Sequence, residues 1–415
     1  MDTTFGRVAW VLGFFCASGI GEAQEKCVVH EWGTFTCLQD EEGRAVSGVN
    51  SDEEPLPSFA HNLASDLIID TPDKGVPKCH PDVTMRLETP VIYFHPAKSM
   101  VNPIVADVEV KFRGGWLTQF YPFAEADAPG LGDGRFDFGR LDGDTVGSLS
   151  WKAIKIAGGA EGPATHDRVW TAPRAVHATS VTTSNGESER FLFYRGVGHI
   201  DAPLRVAREE ATQRLMFRGQ IEPSLSRDRP LKIPQIWLAE IRADGTSAFR
   251  DLGAVDVTSD RSAVLTGTAA EFDPGAFQAE NLWQLRDRMH QAVTAAGLFA
   301  DEADALLNTW ELSYFQSPGL RVFFIVPRAW TDHYLPLNLS IPAEVTRVMV
   351  GRIELVTPAR RQLARAAVAM ESVPRDDPRR QQGLSSFQQL GRFRDALVLD
   401  EKRRQSTDAT IRPHP

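Results

Sequence analysis

Cysteine is scarce in this chain, four residues in 415, which excludes the small scaffolds in which bridges replace a hydrophobic core. Runs of five or more like charges are absent, and the balance is acidic, with 55 Asp and Glu against 45 Lys and Arg. A general binder of phosphate backbones shows a basic footprint, so nucleic acid is not expected as a partner. After the N-terminus no apolar run reaches the roughly 20 residues a membrane-spanning helix needs, so no integral membrane segment is expected. Also missing are Gly-x-Ser-x-Gly, Gly-x-x-x-x-Gly-Lys-Ser/Thr, Gly-x-Gly-x-x-Gly, His-Glu-x-x-His and any repeat of fixed period. The reactions those motifs announce therefore have no sequence support.

What is present is an ordinary globular composition, 42% hydrophobic and 24% charged, with ample length for a full core. Residues 1–23 read as a signal peptide. Arg7 precedes an apolar stretch from Val8 to Ile20, and Gly21-Glu22-Ala23 offers a small-x-small cleavage pattern. The expected location is periplasmic or secreted, the alternative being a protein tethered by an uncleaved N-terminal segment. Cleavage also removes Cys16, which leaves Cys27, Cys37 and Cys79.

The expected fold is mainly β with α additions, an antiparallel sandwich-like β body carrying a helical hairpin and C-terminal helices. Residues 24–272 form the β-rich body, because short Val-, Phe- and Trp-rich runs alternate there with Gly-, Asp- and Pro-rich connections. Within it, 27–38 reads as one bent strand or a tight hairpin near Trp32-Gly33. The hairpin places Cys27 across from Cys37, within reach of a disulfide. Residues 273–356 read as a helical hairpin and returning strands. Asp273-Pro274 is the expected helix start, followed by a stripe of Leu282, Leu285, Met289, Ala292 and Ala296. Residues 357–402 hold C-terminal helices with a polar linker at 374–383, and 403–415 read as a disordered tail.

Potential ligands are densest in the first 95 residues, where four of the ten histidines fall between His30 and His95. Imidazole, thiolate and carboxylate suit zinc, copper or iron. The expected metal set is His30, His61, His80 and His95, with Cys79 or Glu31 as a substitute or supporting group. Strand periodicity puts His30 and Trp32 on one face and Glu31 on the other. The competing reading is a Cys27–Cys37 bond with histidines that share no role. A second feature, residues 190–199, sets Arg195 on the same face as Phe191 and Phe193, next to Gly196, Gly198 and His199. There Arg195 would fix an anionic group and His199 would act as acid or base. The competing reading is that Arg195 reaches solvent or makes a structural ion pair, with the glycines marking a bulge. Calcium is a further expectation for the loop bearing Asp133, Asp137, Asp142 and Asp144, although EF-hand spacing is lacking.

Two functions follow from these residues. One is an exported metal-dependent enzyme with a histidine-rich N-terminal site, in which His199, Arg195 and Glu31 take catalytic roles. The other is an extracytoplasmic binding or structural module without catalysis, in which surface aromatics recognise a carbohydrate or a protein; Trp32, Trp116 or Trp151 exposed in one groove would favour it, and a small molecule or extracellular polymer is the expected partner class.

Overall fold

The computed structural model describes residues 26–51, 56–63, 75–100, 103–132, 139–374 and 376–411. The signal-peptide expectation therefore lies outside the described residues. Among them, no helix is long and apolar enough to cross a membrane.

The protein is mixed α/β, built on one large sheet. Its centre is the 13-residue strand Cys27–Gln39, buried almost throughout. This strand runs parallel to Ala343–Leu355, with Cys27 opposite Ala343 and Gln39 opposite Leu355. Its other edge pairs antiparallel with Met85–Leu87 and Val91–His95, two short strands separated around Pro90. Outward on that side follow Leu192–Gly198, Gly115–Tyr121 and Val146–Ile156; on the other side follow Gly319–Ile325, Leu231–Ile241 and Ser247–Val257. Leu204–Glu209, Arg214–Gly219 and Val264–Ala269 form a separate three-stranded sheet.

The parallel pair corrects the expectation of an antiparallel sandwich. Cys27–Gln39 is buried on both faces, the pattern of a strand inside a covered sheet, but its composition alone does not fix the direction of its partner. More than 300 residues separate the two strands, so their connection imposes no orientation either.

Gly33 supports no turn, and Cys27–Gln39 is one continuous strand. A Cβ on Gly33 would lie 2.9 Å from Pro90 Cα and 3.0 Å from Met349 Sδ. This glycine therefore permits neighbouring chains to pack across the strand. The expected disulfide is corrected by the same fact. Cys27 and Cys37 are ten residues apart on an extended chain, roughly 33 Å, and both are free thiols. Burial pushes both thiols above the usual cysteine range. Alkylation of the unfolded protein without reductant is expected to label both cysteines, and peptide mass mapping checks this. Recovery of a linked Cys27–Cys37 peptide would refute it.

The sheet separates two apolar layers. Cys27, Val29, Phe35 and Cys37 point into one; Trp32 points into the other. Helices Glu280–Ala295 and Ala300–Thr309 cover the Trp32 side through Leu285, Met289, Leu306 and Leu307. The first begins at Glu280 instead of Pro274, which opens only a short 3-10 turn. A second group on that side, containing Leu38, packs under helix Pro358–Ala369 and the chain after it. Thr357 caps this helix, accepting from Arg360 N–H at 3.3 Å.

Two C-terminal expectations change. The polar stretch 374–383 is helical from Pro378, at the start of Pro378–Gln389, where Asp377 supplies the cap. Residues 403–411 continue helix Arg394–Ile411, and 412–415 lie outside the described residues. Asp and Pro read as loop composition, but together at a helix start they are favourable cap and first-turn residues.

Between the apolar groups, Arg321, Arg352 and Arg360 converge on Glu354. Arg321 Nε lies 2.9 Å and Arg352 Nη2 2.6 Å from Glu354 Oε1, and Arg360 Nη1 lies 3.9 Å from Oε2. Burial alone would raise the Glu354 pKa; the three arginines outweigh it and hold the carboxyl below the usual range. Its folded pKa is thus below its unfolded value, about 4.3. The stabilisation is complete above that value and is lost as pH falls through the folded pKa. A Tm-against-pH series is expected to show a smaller acid-side slope for Glu354→Gln than for the parent protein, and parallel curves would contradict this assignment.

Candidate metal centre

The antiparallel register sets Tyr93 opposite His30 and His95 opposite Val28. His30 and His95 are therefore diagonal neighbours on one sheet face, close enough for long side chains to meet. Their ring centroids are 5.4 Å apart in an edge-on arrangement.

The third group comes from the helical layer. On the other side of His30 its register partner is Thr346, and Gly297 lies over that residue, where an added Cβ would be 3.0 Å from Thr346 Cγ2. Gly297 has φ +114°, a conformation that favours glycine. It ends the first covering helix against the sheet and turns the chain towards Phe299, which caps helix Ala300–Thr309. Glu302 then falls in the first helical turn and faces both imidazoles.

Glu302 Oε2 lies 2.7 Å from His30 Nδ1, and Oε1 lies 3.0 Å from His95 Nε2. Oε2 also accepts the Phe299 N–H at 2.8 Å. Glu302 is fully buried, His30 nearly so, and His95 partly open. The Phe299 ring lies 4.4 Å from the His30 ring and 5.0 Å from that of His95, while 46% of the residue remains exposed. It forms an aromatic cover at the solvent side. Burial would push the Glu302 carboxyl up, but bonds from His30, His95 and the Phe299 N–H hold it below the usual carboxylate range.

One ligand atom from each of His30, His95 and Glu302 can be chosen so that all lie within 4.8 Å of one another. Two imidazole nitrogens and a carboxylate are a donor set for zinc or non-haem iron. The same atoms can satisfy one another when the imidazoles donate N–H to the carboxylate. Next to them, Asp301 Oδ1 accepts the Glu302 N–H at 3.0 Å, and Asp301 Oδ2 meets the His177 N–H and Nδ1 at 2.9 and 3.1 Å. These contacts tie the first turn of the helix to the 177 segment.

The other sequence-selected residues lie apart from this group. His61 pairs with Glu187, 3.0 Å from both carboxylate oxygens, and stacks on Phe120. His80 is buried, with Nδ1 accepting from Asp82 N–H at 3.1 Å and its ring edge-on to Trp116. Cys79 is half-buried with φ +57°. His199 is exposed, and its Nδ1 meets Asp82 O at 2.6 Å. Arg195 is buried and donates Nε–H to Glu88 O at 2.9 Å. Glu31, on the opposite sheet face from His30, accepts from the Tyr194 hydroxyl at 2.5 Å and is paired with Arg347.

In the expected calcium loop, Asp142 Oδ1 accepts from Asp144 N–H and Thr145 N–H, each at 3.1 Å. Its carboxylate thus holds its own turn. Asp133 and Asp137 lie outside the described residues.

Glu302, Phe299, Asp301 and His177 were not selected from sequence. An acidic residue in the first turn of a helix has an ordinary reading as a cap, and nothing near position 302 announces two histidines from the first hundred residues. The chain matches no known protein-family description and no curated protein.

Proposed function

We propose that this protein is an exported metal-dependent enzyme whose centre is formed by His30, His95 and Glu302. The observation behind this reading is the convergence of two imidazoles and a carboxylate from three separate elements. Three protein ligands leave coordination positions for water or substrate, and the bound ion would activate that water or polarise the substrate. Tyr93 and Phe299 supply an apolar surround that limits solvent access. Zinc and ferrous iron match the donor set best.

A groove of exposed tryptophans would favour the alternative of a binding module. Trp32, Trp116 and Trp151 are all buried, so they offer no such surface.

The test is elemental mass spectrometry on protein exported and purified without chelating resin. About one zinc or iron ion per chain is expected. A folded chain that is metal-free as isolated, and that takes up neither Zn²⁺ nor Fe²⁺ on dialysis, would overturn the proposal.

A further inference from the structure

A second concentration of unmet polar capacity lies further along the strand that carries His30, on the same face. Thr36 stands opposite Arg352 on one side and Arg86 on the other. Thr34, one pleat earlier, lies beside the Tyr314 phenol. Thr34, Thr36 and Tyr314 have no exposure, and Arg352 only 1%. Among the described residues, Thr34 Oγ1, Thr36 Oγ1 and the Tyr314 hydroxyl have no hydrogen-bond partner. Tyr314 occupies the π-helical turn Leu312–Gln316, a backbone form frequent at functional sites, and Arg352 Cζ lies 5.6 Å from its ring centroid.

The charge beside these hydroxyls is unbalanced. Arg321, Arg352 and Arg360 share Glu354, while Glu88 pairs with Arg86 at 2.7 Å. Burial pushes Arg321 down to about 9, which still leaves it cationic at neutral pH. Among the described residues the Glu354 cluster therefore has two positive charges in excess. A buried charge is costly unless paired. Water can satisfy a hydroxyl, but it neutralises no guanidinium; an anion does both. Three hydroxyls and a guanidinium provide the donors that recognise an oxyanion.

We propose that Thr34, Thr36, Tyr314 and Arg352 bind a phosphate or sulfate group, free or attached to a small molecule. Thr36 is six residues beyond His30, roughly 20 Å along the strand, so this site stands independently of the metal centre. The Arg360 side chain retains 14% exposure and marks where the cluster meets solvent.

The test uses the whole protein purified in chloride. Ion chromatography of the denatured sample reads any retained phosphate or sulfate. Thermal unfolding is followed with inorganic phosphate, sulfate, glycerol phosphate and acetate against sodium chloride at matched ionic strength. Either stoichiometric release of an oxyanion, or a saturable Tm rise of about 3–5 °C at a hundredfold excess over Kd, is expected. A larger rise with glycerol phosphate than with phosphate would indicate an attached group. Thr36→Val and Tyr314→Phe should fold and lose the anion-specific rise or the retained anion. Removing a hydroxyl that is merely unsatisfied would instead leave Tm unchanged or raise it equally in every salt. No retained anion together with equal Tm in all salts, or an effect that survives undiminished in both variants, would overturn the proposal.

Discussion

Arg347→Met is expected to lower unfolding stability by about 3–5 kcal/mol, the range for breaking a buried ion pair from one side. The Arg347 side chain is 1% exposed and that of Glu31 is 0%. Burial alone would lower the Arg347 pKa; Glu31 and Tyr194 outweigh it and raise it. The Tyr194 hydroxyl donates to the other Glu31 oxygen, so the carboxylate is bonded on both sides. Asp332 also meets Arg347, at 2.9 Å, but it is half-exposed and water screens its contribution. Removing the guanidinium leaves the Glu31 charge in an apolar layer with one hydroxyl. Denaturant unfolding of Arg347→Met, Glu31→Gln and the double variant measures the coupling. The double variant is expected to be more stable than the sum of the single losses implies, because neither charge remains alone. Strictly additive losses would show that the pair is not coupled, and a single loss below about 1 kcal/mol would place it in the class of surface pairs.

Glu302→Ala is expected to abolish metal retention at the His30–His95 centre. Loss of an outer partner of a metal ligand costs about 10–100-fold in affinity, and removal of a ligand should cost more. The same substitution removes the acceptor for the Phe299 N–H, a capping contact whose loss costs about 1 kcal/mol. Glu302→Gln separates the two effects, since its amide oxygen can still accept from one neighbour but supplies no anionic ligand. Metal content and Zn²⁺ titration should show both variants deficient, with Gln closer to the parent protein in Tm. Full metal retention in Glu302→Ala, checked by elemental analysis, would remove Glu302 from the ligand set.

Half of the expected histidine set ended in one place, and the reason is local. Strand periodicity ties His30 to the Trp32 face, and the adjacent strand places His95 two residues from the position opposite His30. His61 and His80 belong to the same histidine-rich segment, but they sit on other elements with partners of their own. Density along the chain signalled potential ligands without reporting distance in space. Glu302 is separated from His30 by 272 residues. Its approach depends on the Gly297 contact with Thr346, which becomes visible only after Ala343–Leu355 is paired with the first strand.

By itself the sequence determined the properties that short-range physics controls. Pleating puts His30 and Glu31 on opposite faces. A three-to-four residue apolar stripe brings Leu285 and Met289 to one helix side, and Thr357-Pro358 starts a helix. Tertiary structure alone decided that the first and last strands of the large sheet run parallel, that Cys27 and Cys37 stay apart, and that Glu302 meets two histidines. Such pairings arise from the combined burial of many side chains across long chain separations, whereas a local pattern records only the preferences of neighbouring residues.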